Sequence, residues 1–299
     1  MASMKELRGR IAGVKSTRKI TSAMKMVAAS KLRRVQNQTE AARPYADTMR
    51  RMMGELAAAS QGMDPSTLPP LLAGTGKDNV HLLVVVTSDR GLAGGFNANI
   101  IRLARQEIAA LQAEGRTVRL LTVGRKGTDV FQRYYPDLIV ESLHNDASTQ
   151  KTAYALAQKL ANKVTEMVEA GEIDACALMR NRFVNAMTQD AEKLGLVPLP
   201  VVENDGAAAN KREDGAIYEF EPDGHGLLAQ LLPRNLEVQF YSGLLESAAG
   251  EQGARMTAMD NASRNASKAI ERLSLTYNRT RQANITNELI EIISGAEAV

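Results

Sequence analysis

Apolar residues open the chain at Met4, Leu7, Ile11 and Val14, in alternating steps of three and four. A stripe resumes out of phase at Ile20, Met24, Val27, Ala28, Leu32 and Val35. This spacing predicts an amphipathic helix with a narrow seam facing another helix, and the phase shift near Arg18 reads as a coiled-coil stutter. No Gly lies between Val14 and Met53, and the first Pro is Pro44. One helix over 3–58 would be roughly 80 Å long. So thin a stripe cannot stabilise a helix of that length alone, so it needs a partner. A second Gly- and Pro-free stretch, Ala254 to Ser294, belongs to a longer pattern that supplies one. Val238, Tyr241, Leu245, Ala248, Met259, Ala262, Ala266, Ile270, Leu273 and Tyr277 follow a heptad-like course, which Gln252 and Arg255 interrupt. Pro233 is expected near the start of that helix, where its missing N–H costs least. The simplest architecture is an antiparallel two-helix coiled coil made by the two ends of the chain. Two helices of an ordinary bundle are the alternative, and no third segment of similar length exists to complete one.

The middle changes period. NVHLLVVVTSD (79–89) suits a strand buried on both faces, and NANIIRLARQEIAALQAEG (97–115) an amphipathic helix ending at Gly. TVRLLTVG (117–124) and DLIVESL (137–143) read as strands around a short helix at 127–135. A capped helix over 148–171 leads to a strand at 173–180 and a fifth at 182–190. Strand–helix alternation predicts an α/β, doubly wound, Rossmann-like central domain. The expected division is an N-terminal coiled-coil helix at 1–59, a linker at 60–78 and the α/β domain at 79–202. A connecting loop and foot at 203–225 and a C-terminal coiled-coil helix at 226–299 complete it.

Charge sharpens the picture of the ends. The net charge of the 299 residues is +3, but residues 1–60 hold thirteen Lys and Arg against four Asp and Glu. That asymmetry points to a solvated helix face or an acidic partner. Nucleic acid is disfavoured, because the cations are spread along the helix without aromatics for stacking. Aromatics are only 4 % and Trp is absent, which suits helices packed through small residues. The single Cys176 excludes an internal disulfide and, within IDACALM, reads as core filler in a reducing compartment. Residues 1–20 show no signal-peptide core, and the apolar run LLVVV is far too short to span a bilayer. Membrane association is therefore expected only through a partner.

Candidate chemistry is sparse. SDRGLAGGFN (88–97) follows a strand and opens a helix, where dinucleotide phosphates bind in Rossmann domains. GLAGG is not GxGxxG, however, and Asp89 would set a carboxylate beside the phosphates. Gly124 and Arg125 stand where an NAD-binding domain carries its ribose-binding acid. GTGKD (74–78) precedes a strand and has Asp78 where a P-loop needs Ser or Thr. GRKGT (124–128) also lacks the P-loop spacing. His81, His144 and His225 show no metal-ligand spacing, and no nucleophile elbow occurs. The residues nominate no catalytic, metal or cofactor site.

MKELRGRIAGVKSTRKITSAMKMVAASKLRR (4–34) strongly resembles the start of the γ subunit of F-type ATP synthases. RMTAMDNASRNASKAIERLSLTYNRTRQANITNELIEIISGA (255–296) resembles its C-terminus, and SDRGLAGGFNANI (88–100) its TDRGLCGG-type loop. The resemblance implies a non-catalytic rotor. Its terminal helices would form a shaft inside a hexamer of alternating α and β subunits. Its α/β domain would sit outside, beside the c ring and subunit ε. Shaft rotation driven by ions crossing the membrane would force the β subunits through their nucleotide-binding states. Residue by residue, Met24 corresponds to a bearing-region Met whose replacement by a cation uncouples rotation from chemistry. Arg255, Gln282, Thr286 and Glu288 match contacts to the moving part of the β subunits. Tyr218, Phe220 and Glu221 match the foot on the c ring and ε, with Phe220 where Tyr is usual. Ala93 replaces the loop Cys of some relatives, and without paired cysteines no thiol switch is expected. The implied location is the cytoplasmic side of a bacterial inner membrane, as a peripheral subunit. The competing reading is a free-standing nucleotide-binding α/β protein with a helical interaction arm.

Overall fold

The computed structural model describes residues 3–59, 68–147, 149–199 and 224–297. Helix α1 spans Met4–Ala59 and helix α6 spans Gly224–Glu297. Between them come α2 (Pro70–Ala73), β1 (Val80–Val86), α3 (Phe96–Ala113), β2 (Thr117–Val123), α4 (Arg125–Tyr134), β3 (Ile139–Leu143), α5 (Gln150–Glu169), β4 (Ala175–Phe183) and β5 (Gln189–Val197). The chain forms two compact units, Met1–Ser30 with Arg255–Val299, and Lys31–Ala254.

In the second unit the sheet order is β3-β2-β1-β4-β5. The first four strands are parallel, and β5 runs antiparallel to β4. Side chains alternate across a strand, so odd and even positions build different faces. Leu83, Val85, Leu120 and Met179 pack with Ile100, Ala104 and Ile108 of α3 and Phe131 of α4. The other face carries Leu178 and Arg180 and meets α6 at Gly243, where an added Cβ would lie 2.6 Å from Leu178 Cδ2. Helix α5 joins α6 on that face through Tyr154 and Tyr241, edge to face at 5.7 Å. Coverage of both faces makes the sheet doubly wound, as expected. Helix α5 begins with the capping box its sequence promised. Thr152 N donates to Thr149 Oγ1, and Thr149 N donates to Thr152 Oγ1, both at 3.2 Å. Burial pushes the Cys176 thiol up, consistent with a core filler.

Three sequence expectations are corrected. The run at 182–190 is not the fifth strand: β4 continues to Phe183, a turn follows, and β5 starts at Gln189. Strand β5 is a polar edge strand whose charges pair laterally, Lys193 with Glu107 and Glu192 with Arg180, so it lacks an apolar signature. Pro233 lies inside α6, which begins at Gly224. The stutter near Arg18 is also absent. Burial along α1 keeps one register through Leu7, Val14, Thr21, Ala28 and Val35, with Met4, Ile11, Lys25 and Leu32 on the adjoining seam positions. Ile20 and Val27, which suggested the shift, are 57 % and 56 % exposed. Polar seam residues stay in register because they find partners: Thr21 Oγ1 donates to the Arg18 carbonyl at 3.1 Å, and Lys25 Nζ meets Asp260 Oδ1 at 2.6 Å.

Candidate functional site

The unit built from Met1–Ser30 and Arg255–Val299 is an antiparallel helix pair. Arg8 Nη2 donates to Tyr277 Oη at 2.9 Å, and Lys25 reaches Asp260. The two contacts are seventeen residues apart on both helices, 8 to 25 and 260 to 277, so the register is constant. The Arg8 guanidinium also lies 5.8 Å from the Tyr277 ring centre. The seam partners of α6 include Met259 and Ala266, both buried, and Ile270, Leu273 and Tyr277, half-buried. By this register Met4 lies beside Arg281. Every residue from Arg281 to Ser294 is exposed, including Ile285, Leu289, Ile290, Ile292 and Ile293.

Of the residues expected to act, Met24 is half-buried on α1 next to Lys25, and Arg255 is half-buried at the start of this unit's α6 segment. Gln282, Thr286 and Glu288 are exposed beyond the pairing partner. Thr286 Oγ1 donates to the Gln282 carbonyl at 2.9 Å, and these two share a face, one turn apart. Glu288, two residues on, points elsewhere around the helix. Tyr218, Phe220 and Glu221 lie outside the described residues. The expectation missed Ile20, Met26 and Val27, three large apolar side chains exposed around Met24. Their signal was present in the heptad register: carrying the 7-14-21-28 phase through Thr21 places all three off the seam. Along α1, Lys15, Arg18, Lys19, Lys31, Arg33 and Arg34 are exposed and make no ion pair among the described residues.

The glycine loop after β1 is knitted into its own chain. Thr87 Oγ1 donates toward the Val123 and Gly124 carbonyls at 3.1 and 2.9 Å and accepts from Gly127 N at 2.9 Å. Ser88 N donates to Asn97 Oδ1 at 3.0 Å, and Asn145 Nδ2 donates to the Thr87 carbonyl at 2.7 Å. Asp89 Oδ1 accepts from Arg125 N at 2.9 Å and Asn145 N at 3.3 Å, so a carboxylate already caps the N-terminus of α4. A phosphate at that helix end would have to displace it. At the N-terminus of α3, Phe96 and Ala93 pack against Ala254 of α6. Helix α6 thus covers the loop at the end of β1, where a Rossmann domain would open toward a nucleotide.

Among the described residues no group of three His, Cys, Asp or Glu is placed to hold a metal ion. His81 Nε2 sits 2.7 Å from Asp78, while His144 is exposed and 3.9 Å from Asp89. No described helix is long and apolar enough to cross a membrane.

A family model described as ATP synthase matches residues 3–299. The ATP synthase gamma chain of Gluconobacter oxydans is 67 % identical over 299 residues, covering 100 % of both chains. That of Rhodospirillum rubrum is 53 % identical over 306 aligned positions, again with 100 % of both chains covered. Among solved structures, a chain of the Tetrahymena thermophila mitochondrial ATP synthase central stalk and c ring aligns with TM-score 0.60 at 28 % identity. It covers 82 % of this chain and 99 % of its own. A chain of the Euglena gracilis mitochondrial ATP synthase, at 20 % identity and TM-score 0.67 over 99 % of this chain and 94 % of its own, shares the fold. The helix pair, the five-stranded sheet and the end-to-end match agree: this chain belongs to the ATP synthase gamma chain family and is a central-stalk subunit, a component of the enzyme complex.

Proposed function

We propose that the chain is the turning shaft of a proton-driven ATP synthase, with no active site of its own. The helix pair rotates inside a hexamer of α and β subunits and drives the β subunits through ATP synthesis or hydrolysis. The segment 203–225, with Tyr218, Phe220 and Glu221, grips the c ring and subunit ε. Met24, Arg255, Gln282, Thr286 and Glu288 face the β subunits. The complex sits on the cytoplasmic side of a bacterial inner membrane, and this chain reaches the membrane only through the Fo sector.

The observation that carries the reading is the surface of the helix pair. Its seam is narrow, exposed cations such as Lys15, Arg18 and Lys19 make no ion pair among the described residues, and α6 runs on past its partner as an exposed, isoleucine-rich end. Exposed charges form weak, exchangeable contacts, which suit a shaft that must slide past its housing. An isolated helix with so much exposed apolar surface calls for a surrounding sleeve.

The test is reconstitution. Tagged chain should co-purify with α and β subunits, and membrane vesicles carrying the complex should pump protons on ATP addition. A chain that leaves α and β behind sinks the reading. The rival, a free-standing nucleotide-binding protein, requires saturable binding of ATP or NAD to the isolated chain. The Asp89 carboxylate at α4 argues against it.

A further inference from the structure

Torque that enters a rotor through its sheet domain must pass into the helix running along that sheet. The seat of α6 buries Phe240, Leu244 and Leu245, and three glycines bring the helix close to its neighbours. Gly243 lies over Leu178 and Arg180, Gly250 over Phe96 and Gln189, and Gly253 over Phe183 and Ala186. At these three points small residues let the helix approach closely, but they provide no ridges to interlock. Apolar contact is non-directional, so it resists separation better than rolling or sliding.

Directional restraint includes two polar pins. One is the clasp on Glu237, which accepts from Tyr154 Oη at 2.6 Å and Arg234 Nη1 at 2.6 Å. The other centres on Arg180, whose side chain is 11 % exposed. Its Nε and Nη2 lie 2.9 and 2.8 Å from Glu192 Oε1 on β5, and its Nη1 lies 3.3 Å from Glu246 Oε1 on α6. Arg182 holds Glu192 from the other side at 3.2 Å, so Glu192 stays paired if Arg180 is lost. Glu246 has no other ion-pair partner among the described residues. The pins are nine residues apart on α6, about 13 Å along the helix.

Packing leaves slack beside the second pin. A half-open cleft of about 250 Å³ adjoins it, lined by Gln36, Thr39 and Glu40 of α1, Arg182 and Phe183 of β4, and Glu246 and Ala249 of α6. Released from Arg180, Glu246 faces this open space on the side of α1.

We propose that Arg180 is a positioning residue for torque transfer: it fixes the rotation of α6 on the sheet, so that force on the sheet domain turns α6 instead of rolling it in its seat. This rests on the rotor reading above. The test uses the complete complex in membrane vesicles, with Arg180→Met, Arg180→Lys and Glu246→Gln. R180M should assemble and hydrolyse ATP, while hydrogen exchange of α6 amides between Leu236 and Gly250 quickens by about tenfold. Protons pumped per ATP should fall about twofold or more, with R180K recovering most of the loss. E246Q keeps the volume of the site and should show the same changes in milder form, and it carries the test if R180M does not assemble. Wild-type exchange and pumping per ATP in the assembled variants overturn the proposal. A wild-type complex that does not pump overturns the rotor reading instead.

Discussion

Asp174 is 5 % exposed and holds the entry to the sheet. Its Oδ2 accepts from Asn79 N at 2.9 Å and Val80 N at 3.0 Å, and its Oδ1 accepts from the Thr75 hydroxyl. Burial alone would raise its pKa. The Thr75 hydroxyl, the Val80 and Asn79 N–H groups and the Lys77 charge outweigh burial and hold it below the usual carboxylate value. Asn at this position turns an amide donor toward groups that need acceptors, and D174N should lose about 2 kcal/mol at neutral pH in urea unfolding. A depressed folded-state pKa gives stability that is present above the unfolded value and lost as pH falls through the folded one. The gap between wild type and D174N should therefore be full at pH 7 and close as the solution is acidified below the ordinary Asp value of about 3.9. A gap unchanged by acid would show that the charge of Asp174 is irrelevant. Gly124 is the second sensitive position. Its φ is +97°, and a Cβ there would lie 2.1 Å from the Thr87 carbonyl oxygen. G124A should cost about 3 kcal/mol or more, because backbone strain and overlap with a fixed carbonyl add. A urea midpoint equal to wild type would refute this.

At the scale of elements, the seam of α1 is the instructive case. Its helix and its antiparallel partner were legible in the sequence, because Gly and Pro are excluded and apolar residues repeat at heptad spacing. The register was not, because hydrophobicity alone picked Ile20 and Val27 over Thr21 and Lys25, and only Asp260 across the pair explains why Lys25 can occupy the seam. The strands buried on both faces were readable within a few residues, whereas β5 was hidden by charges that pair with Glu107 and Arg180. The glycine loop was located correctly, but its content, an Asp89 carboxylate capping α4 and α6 lying over Phe96, depends on long-range packing that no local motif encodes. The observed register makes a direct prediction. Thr21 is 8 % exposed, so Thr21→Leu places an apolar knob in the seam and should stabilise the helix pair by about 1 kcal/mol. Val27→Leu, on the exposed side, should leave the melting curve followed by helical circular dichroism unchanged. Stabilisation by V27L and not by T21L would restore the stutter.

For the whole molecule, charge decides how the chain meets its partners. The thirteen cations and four acids of residues 1–60 are concentrated on the helix that forms half of the pair. Lys15, Arg18 and Lys19 stand exposed and unpaired among the described residues, so they add nothing to the fold and are available to an acidic surface. Reversing all three to Glu should leave the urea midpoint of the chain near wild type, since exposed unpaired charges contribute little to stability. The same variant should associate with α and β subunits many-fold more weakly at low ionic strength, because close approach then sets six charge units of difference against an acidic housing. Screening supplies the control: the Debye length shrinks from about 10 Å at 0.1 M salt to about 3 Å at 1 M. Variant and wild type should converge as salt rises, with the wild type losing affinity and the variant changing little. Equal association at low salt would mean that the cations of α1 face solvent in the assembled complex, and that the apolar end of α6 alone holds the shaft in place.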